Sequence, residues 1–206
     1  ALSQSAEAVG IDALLVVSPY YNKATPDGLF AHFLSIAHSV SIPVILYNVP
    51  SRTGVDIPVS VYKQLSQIPN IAGVKEASSD ISKIARIRAA CPQDFCIWSG
   101  NDESAIPAMS LGGKGIISVL SNLMPRETSA MCHKVLEGDV PGAMELQKKY
   151  LKLTNALFSE VNPIPVKAAI SAMGFGKEYL RLPLTPMEPA NRAKLLDEMR
   201  KLGVEV

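Results

Sequence analysis

Five short apolar segments alternate with amphipathic segments of helical periodicity along the first part of the chain. The apolar segments are residues 13–18, 44–49, 71–77, 95–100 and 115–120. The amphipathic segments between them are residues 28–39, 59–66, 79–90 and 103–111. Each apolar segment is nearly continuous, which is typical of a parallel strand covered on both faces. The repeated order of strand and helix therefore predicts βαβ units and a parallel sheet.

After the fifth predicted strand, the pattern becomes helical. Helices are predicted over residues 126–136, 140–158, 164–173 and 189–202, and glycine and proline mark their boundaries. Five strands do not close an eight-stranded (β/α)8 barrel. Two architectures remain open from the pattern alone: an open, doubly wound sheet, or the later part of a barrel whose first units are absent. No GxGxxG motif follows the first strand, so a dinucleotide-binding sheet has no support.

Composition narrows the class of protein. The chain has 206 residues, of which 48% are hydrophobic and 19% charged, and its formal net charge is +1. A balance of this kind gives no electrostatic case for binding nucleic acid or an acidic membrane surface. Three cysteines fit neither a CxxC pair nor a disulfide framework, which favours a reducing, cytoplasmic compartment. No apolar run has the length of a membrane span.

Lys75 lies within the apolar third strand, where an ammonium group is unexpected. Taking its charge out of water is unfavourable, so burial lowers the pKa of a lysine and leaves a neutral, nucleophilic amine. That amine is suited to forming a carbinolamine and then an imine with a carbonyl substrate, without a metal or organic cofactor. The alternative is that Lys75 lies at a strand end and pairs with a carboxylate or reaches solvent.

Tyr47 and Arg52 follow the second predicted strand and are candidates for the same site. Neighbouring parallel strands lie about 4.8 Å apart, so Tyr47 and Lys75 are expected side by side. A phenol near a positive charge is expected to have a lowered pKa and to relay protons during imine formation. Arg52 offers a bidentate fork for a substrate carboxylate. The alternatives are an ordinary strand aromatic for Tyr47 and a solvated surface charge for Arg52.

Other polar residues are weaker candidates for a functional site. The run Asn101, Asp102 and Glu103 is able to coordinate a cation, but it is also the pattern that caps and charges a helix N-terminus, and capping is the preferred interpretation. The three histidines match no metal-site spacing, and no metal site is predicted. The glycine-rich residues 111–115 precede a strand, so a tight helix-to-strand turn is favoured over a phosphate cradle.

Four short segments together resemble the dihydrodipicolinate synthase family of pyruvate-dependent class I aldolases, which also includes N-acetylneuraminate lyase. They are residues 18–23 (SPYYNK), 47–54 (YNVPSRTG), 73–78 (GVKEAS) and 162–167 (NPIPVK). The similarity runs over the whole chain in the family's order and spacing. It implies a TIM (β/α)8 barrel of which this chain carries the last five βα units, in residues 1–125. Residues 126–206 are then the end of the barrel and a C-terminal helical domain.

The resemblance also implies a reaction. Lys75 condenses with pyruvate as a Schiff base, and the resulting enamine attacks aspartate semialdehyde, in lysine and diaminopimelate biosynthesis. Carried over by position, Tyr47 is the proton relay, and Tyr21 is the tyrosine that crosses a dimer interface into a neighbouring subunit's site. Arg52 receives the carboxylate of the aldehyde. Gly100 and Ile117 line the pyruvate pocket with backbone, and Tyr20 is the one position matched in the lysine feedback site.

The main departure from the family lies at the front of the chain. Residues 2–10 read as the last turns of a helix closed by a glycine, and the first strand matches the fourth of the barrel. The chain is therefore expected to start within the architecture, without the motif whose threonines bind the pyruvate carboxylate. Unpaired edges favour association. We accordingly expect either a separate N-terminal piece or pairing with another copy, in a homodimer or homotetramer.

Two alternatives to this function stay open from the sequence. The first is a sister aldolase that acts on N-acetylneuraminate or a 2-keto-3-deoxy sugar acid with the same Lys75 and Tyr47. The second is an inactive partial barrel that only assembles with other chains. The first differs in the aldehyde it uses, and the second differs in forming no imine at all.

Overall fold

The five predicted strands form one parallel sheet in the computed structural model, which describes residues 1–206. The strands are β1 (Leu14–Val17), β2 (Val44–Asn48), β3 (Ile71–Glu76), β4 (Cys96–Ser99) and β5 (Gly115–Ile116). They lie side by side in chain order, and every neighbouring pair is parallel. The predicted α/β class is therefore confirmed. The fifth strand is much shorter than its apolar segment, because only two of its residues pair with β4.

The chain divides into two compact units, Ala1–Ile117 and Ser118–Val206. Helices of the first unit are α1 (Leu2–Ala8), α2 (Pro26–His38), α3 (Pro50–Thr53), α4 (Val59–Leu65), α5 (Ser82–Ala90) and α6 (Ala105–Ser110). Helices of the second unit are α7 (Pro125–Leu136), α8 (Val140–Leu157), α9 (Ile164–Ala172) and α10 (Pro189–Lys201). Short 3-10 turns occur at Asp102–Ser104 and Leu120–Asn122. The four-residue helix α3 has no counterpart in the sequence prediction.

The core of the first unit lies between one face of the sheet and helices α2, α4 and α5. Alternate strand residues such as Val44, Leu46, Val74 and Ile97 are fully or almost fully buried on this face. Residues between them point to the opposite face, where Leu15 is 47% exposed. The expectation of strands covered on both faces is therefore wrong for this chain, because no helix of the first unit packs on that second face. We call the two the helix-covered face and the open face of the sheet.

Local sequence signals account for the helix ends. Helix α2 begins after Thr25, whose hydroxyl accepts a hydrogen bond from the backbone amide of Gly28 at 3.2 Å, and its first residue is Pro26. The glycine-rich segment after α6 is a helix-to-strand turn, as predicted. Gly112 takes φ +102° there and donates its amide to Met109 O, a conformation that disfavours other residues.

The second unit is built on its own core between α8, α9 and α10. Leu153, Leu157, Ala168, Leu195 and Met199 are completely buried in it. Helix α8 starts at a capped end, where Asp139 Oδ1 accepts a hydrogen bond from the amide of Gly142 at 2.9 Å. None of the helices is both long enough and apolar enough to cross a membrane.

Candidate active site

A row of side chains crosses the open face of the sheet near the carboxyl ends of the strands. Val17 pairs in register with Tyr47, Tyr47 with Lys75, and Lys75 with Trp98. Residues in register on neighbouring parallel strands point to the same face. The prediction that Tyr47 and Lys75 lie side by side is therefore confirmed, and Trp98 flanks the lysine on its other side.

Lys75 is half-buried beside the ring of Tyr47. Its Nζ atom lies 4.4 Å from the centre of that ring. Burial lowers the pKa of the Lys75 ammonium, the charge of Asp102 opposes this by raising it, and the charge of Arg52 lowers it further. The net direction is downward, which increases the fraction of neutral, nucleophilic amine. The amine lies neither in the deep core nor in bulk solvent, so it is accessible to a substrate from the open face.

The structure reverses one expectation about Tyr47. Its phenol was expected to have a lowered pKa because of the neighbouring cation, yet the pKa of Tyr47 is raised. Partial burial disfavours the phenolate, and this effect outweighs the lowering by Arg52. The phenol is consequently neutral at physiological pH, with a proton available for donation. The face of its ring also attracts the ammonium form of Lys75.

Arg52 lies in the short helix α3, which follows the carboxyl end of β2. The helix ends at Gly54, whose φ of +70° turns the chain back, and Thr53 Oγ1 accepts a hydrogen bond from the amide of Val55 at 3.2 Å. Arg52 itself is exposed. Its charge nevertheless affects the pKa of both Tyr47 and Lys75, so the guanidinium lies within electrostatic reach of the two.

Gly100 and Ile117 follow β4 and β5 at the same end of the sheet. The amide of Gly100 donates to Glu76 O at 2.8 Å, and the amide of Ile117 donates to Ser99 O at 2.9 Å. A Cβ atom built on Gly100 would lie 3.0 Å from Lys75 Cε and 2.6 Å from the Cβ of Ala77. The absence of a side chain at position 100 therefore leaves the space in which the Lys75 side chain lies.

Tyr20 and Tyr21 lie in the loop after β1 and are separate from this group. They are 70% and 90% exposed, and neither has a hydrogen bond or ring contact with Tyr47 or Lys75. Tyr21 also has a φ of +73°, the only positive value among the non-glycine residues of the chain. A left-handed backbone of this kind is unfavourable for a bulky residue. The structure thus groups Lys75, Tyr47, Arg52 and Gly100 and leaves the two loop tyrosines pointing to solvent.

Two features of the site were not predicted from the sequence. Asp102 is 5% exposed, and its charge favours the ammonium form of Lys75. Asn101 was expected to cap the following helix, but its side chain makes no capping bond. Instead, its amide donates to the carbonyl of Ser78 at 3.1 Å and ties the loop after β4 to the loop after β3. The sequence did contain one signal for Asn101 and Asp102, because both directly follow a predicted strand, where βα loops carry function.

The described residues contain no group of three His, Cys, Asp or Glu side chains that could hold a metal ion. The ionisable groups that do converge at this end of the sheet are an amine, a phenol, a guanidinium and a carboxylate, those of Lys75, Tyr47, Arg52 and Asp102. Such a set can bind an anionic carbonyl compound, form a covalent bond to its carbonyl carbon and exchange protons with it.

Comparison with known proteins matches this geometry to one family. The model of the dihydrodipicolinate synthetase family matches residues 1–202. The 4-hydroxy-tetrahydrodipicolinate synthase of Alkaliphilus oremlandii is 50% identical over 202 residues, which are 98% of this chain and 70% of that protein. The enzyme of the same name from Lachnoclostridium phytofermentans is 52% identical over 204 residues, 98% of this chain and 69% of the relative.

Solved structures agree. The crystal structure of dihydrodipicolinate synthase from Aquifex aeolicus superposes with a TM-score of 0.97 at 42% identity, over 100% of this chain and 70% of that one. The chain thus spans about 70% of the length of the proteins it matches. The match covers the strand that carries Lys75 and the strand that carries Tyr47, in the same parallel sheet. On this evidence, the chain belongs to the dihydrodipicolinate synthetase family.

Proposed function

We propose that this protein is a Schiff-base-forming lyase that condenses pyruvate with aspartate semialdehyde, as a 4-hydroxy-tetrahydrodipicolinate synthase. One observation carries the proposal. The amine of Lys75 lies 4.4 Å from the ring centre of Tyr47, half-buried and with a lowered pKa, on the open face of the sheet. An amine with a lowered pKa next to a protonated phenol is the pair that imine formation requires.

The proposed chemistry begins at the Lys75 amine. Its nitrogen lone pair attacks the keto carbon of pyruvate, and the carbonyl oxygen becomes the hydroxyl of a carbinolamine. Protonation of that hydroxyl releases water and leaves a cationic imine. Tyr47 is proposed to supply this proton, because its phenol is neutral and adjacent. The cationic imine withdraws electrons from the methyl group, so no metal or organic cofactor is required for the next step.

The Tyr47 phenolate left by that proton transfer is proposed to take a methyl proton, which returns the phenol and gives an enamine. The enamine carbon then attacks the aldehyde carbon of aspartate semialdehyde. Arg52 is proposed to receive the carboxylate of this second substrate, since the guanidinium is exposed and within electrostatic reach of Lys75. Gly100 and Ile117 are proposed to line the pyruvate pocket with backbone groups. Asp102 is a candidate to stabilise the cationic imine, because its charge favours a cation at Lys75.

The remaining parts of the proposal concern the assembly. The five-stranded sheet is proposed to be the last five units of a TIM (β/α)8 barrel, in residues 1–125, followed by a C-terminal helical domain in residues 126–206. A separate N-terminal piece or a second copy is proposed to complete the open face. Tyr21 is proposed to cross the interface of a homodimer or homotetramer, and Tyr20 to belong to a lysine feedback site. Their exposure on the loop after β1 is compatible with both roles.

Borohydride reduction in the presence of pyruvate tests the catalytic proposal. We expect one reduced pyruvate to be added to the peptide that contains Lys75, as detected by mass spectrometry. The Lys75→Ala variant should lose this label, whereas Lys63→Ala, which removes an exposed lysine of α4, should keep it. A label on any other lysine, or no label on the wild-type chain, contradicts the proposal.

A second assay distinguishes the substrate. Purified protein with pyruvate should consume aspartate semialdehyde, and turnover of a 2-keto-3-deoxy sugar acid alone would point instead to a sister aldolase. Labelling of Lys75 without consumption of any aldehyde would support imine formation and contradict the synthase activity.

A further inference from the structure

A second group of polar residues lies directly behind the candidate site, on the helix-covered face of the sheet. Asn48 follows Tyr47 in β2, and Glu76 follows Lys75 in β3. Because successive strand residues point to opposite faces, these two side chains point away from the substrate side. They are 0% and 3% exposed. The mechanism proposed above uses neither of them.

Helices α4 and α5 complete this buried group. Tyr62 of α4 donates its hydroxyl to Glu76 Oε2 at 3.1 Å. Lys83 of α5 forms ion pairs with Glu76, at 3.6 Å, and with Asp56. The Lys83 side chain is 5% exposed, while that of Asp56 is 56% exposed. We call the buried residues Asn48, Glu76, Tyr62 and Lys83, together with Asp56 at their exposed edge, the polar cluster.

Asn48 is the member that joins the two catalytic strands. Its amide nitrogen donates to both carboxylate oxygens of Glu76, at 2.8 and 3.0 Å, and to Asp56 at 2.8 Å. Its side-chain oxygen accepts the amide of Ile57 at 3.1 Å. The backbone adds a further bond, since the carbonyl of Asn48 accepts the amide of Ala77 at 2.9 Å. Every hydrogen-bonding group of this side chain is therefore used: its nitrogen joins the end of β2 to Glu76 of β3 and to Asp56, and its oxygen holds the amide of Ile57.

Glu76 is fixed as completely. In addition to Asn48, Tyr62 and Lys83, its carboxylate accepts the backbone amide of Ser78 at 2.8 Å. Its own carbonyl accepts the amide of Gly100. The residue directly after Lys75 is thus connected to β2, β4, α4 and α5. Burying charged groups in this way is not a favourable route to stability, because the desolvation penalty offsets the attraction between the charges.

We infer that Asn48 and Glu76 are positioning residues, which hold the ends of β2 and β3 in the register that places the phenol of Tyr47 beside the amine of Lys75. Each lies one peptide bond from one member of the catalytic pair, and the two are joined to each other on the opposite face. Movement of one strand end relative to the other would separate the phenol from the amine. Proton transfer depends steeply on such alignment. This inference rests on the proposed function of Lys75.

The test measures the first-order rate of imine formation on the full chain at saturating pyruvate, by rapid mixing, borohydride quench and intact mass. The test variant is Asn48→Ala, which removes the link between the strands but leaves Glu76 paired with Lys83 and Tyr62. We expect the rate to fall by about tenfold or more. The pyruvate concentration at half-saturation should change by less than about threefold, because Asn48 does not face the substrate.

Two further variants separate positioning from general stability. Ile84→Val shortens a buried α5 side chain outside the cluster, and it should form the imine at the wild-type rate at any temperature where circular dichroism shows it folded. Glu76→Gln keeps a carbonyl oxygen for Asn48 and Tyr62. This variant should therefore keep its rate of imine formation within about threefold of wild type, in contrast to Asn48→Ala.

The outcomes are distinct. A wild-type rate in Asn48→Ala, or an equal loss in Ile84→Val, overturns the positioning role while leaving the proposed function intact. Absence of labelling in the wild-type chain removes both. If Asn48→Ala does not fold, the double variant Glu76→Leu/Lys83→Met decides in its place, because it deletes the acceptor of Asn48 without leaving an unpaired buried charge. It should show the same loss of rate, and a wild-type rate would overturn the inference.

Discussion

Gly100 lies so close to the side chain of Lys75 that position 100 has no room for a larger residue. A Cβ atom at that position would approach Lys75 Cε to 3.0 Å and the Cβ of Ala77 to 2.6 Å, and the second distance is shorter than real carbon contacts allow. Gly100 belongs to the turn after β4, and Lys75 belongs to the adjacent strand β3. The smallest residue of one strand end thus sets the space available to the amine of the next.

Gly100→Ala should therefore affect both stability and imine formation. Overpacking of this kind typically destabilises a fold by about 1–3 kcal/mol. Displacement of the amine should slow pyruvate labelling by about tenfold, since reaction depends on alignment. Chemical denaturation and borohydride trapping measure the two effects. Gly138→Ala is the control: it introduces strain at φ +89° with no neighbour within 4 Å, and it should leave labelling unchanged.

Imine formation should depend on pH through the amine of Lys75. Because the folded-state pKa of Lys75 lies below its ordinary value of 10.5, the rate at saturating pyruvate should rise with pH and reach its midpoint below 10.5. The same shift makes the folded chain bind fewer protons than the unfolded chain between these two values. The contribution of Lys75 to the free energy of unfolding should therefore be least favourable below its folded-state pKa. It should become more favourable as the pH rises to 10.5.

Arg52→Gln and Asp102→Asn form a pair that tests the electrostatic origin of this shift. Arg52 lowers the pKa of Lys75, so its removal should move the midpoint of the rate profile to higher pH. Asp102 raises that pKa, so its removal should move the midpoint to lower pH. Labelling rates measured across the pH range give both midpoints. Shifts in the same direction for the two variants would contradict the arrangement of charges described here.

Tyr47→Phe should distinguish the role of the Tyr47 hydroxyl from the role of its aromatic ring. The variant keeps the aromatic face next to Lys75 and removes only the hydroxyl that donates the proton. Loss of a general acid typically lowers a rate by about 10²–10⁴-fold, and we expect kcat to fall within that range. The midpoint of chemical denaturation should change little. Tyr150→Phe, at a buried tyrosine of the second unit, is the matched control and should keep full activity.

Lys83→Met should destabilise the first unit more than any surface substitution. The Lys83 side chain is 5% exposed and pairs with the buried Glu76, so its removal leaves a buried carboxylate without its cation. Breaking a buried pair from one side typically destabilises a protein by about 3–5 kcal/mol. The double variant Glu76→Gln/Lys83→Met should be more stable than Lys83→Met alone, as measured by urea denaturation. A double variant that is less stable would contradict the ion pair.

Secondary structure followed closely from the apolar periodicity. Strands β2 and β3 lie within one residue of their predicted segments, and α8 ends within one residue of its prediction. Strand β5 is shorter than its apolar segment suggested, because pairing with β4, and not hydrophobicity, decides where a strand ends. The four-residue helix α3 was missed, since it is too short to show a helical period.

The candidate site was predicted in part. Lys75 stands out because an ammonium within an apolar strand needs an explanation, and Tyr47 follows from parallel pairing at a fixed spacing. The direction of the Tyr47 pKa was predicted wrongly, because burial opposes the nearby positive charge and its size depends on packing. The effect of Asp102 on the pKa of Lys75 could not be predicted from the sequence. The same holds for the positioning role inferred for Asn48 and Glu76. Asn48 and Glu76 pair in the same register as Tyr47 and Lys75, but the side chains that join them come from other elements. Only folding brings Tyr62, Lys83 and Asp56 to these two residues.

The sequence by itself determined the parallel α/β order, the likeness to an imine-forming family, and the pairing of Lys75 with Tyr47, because each depends on local periodicity and short motifs. The tertiary structure alone decided how far Lys75 is buried, which charges act on it, and that a polar cluster lies behind it. These are sums over neighbours from several elements, and long-range packing sets their distances and dielectric surroundings.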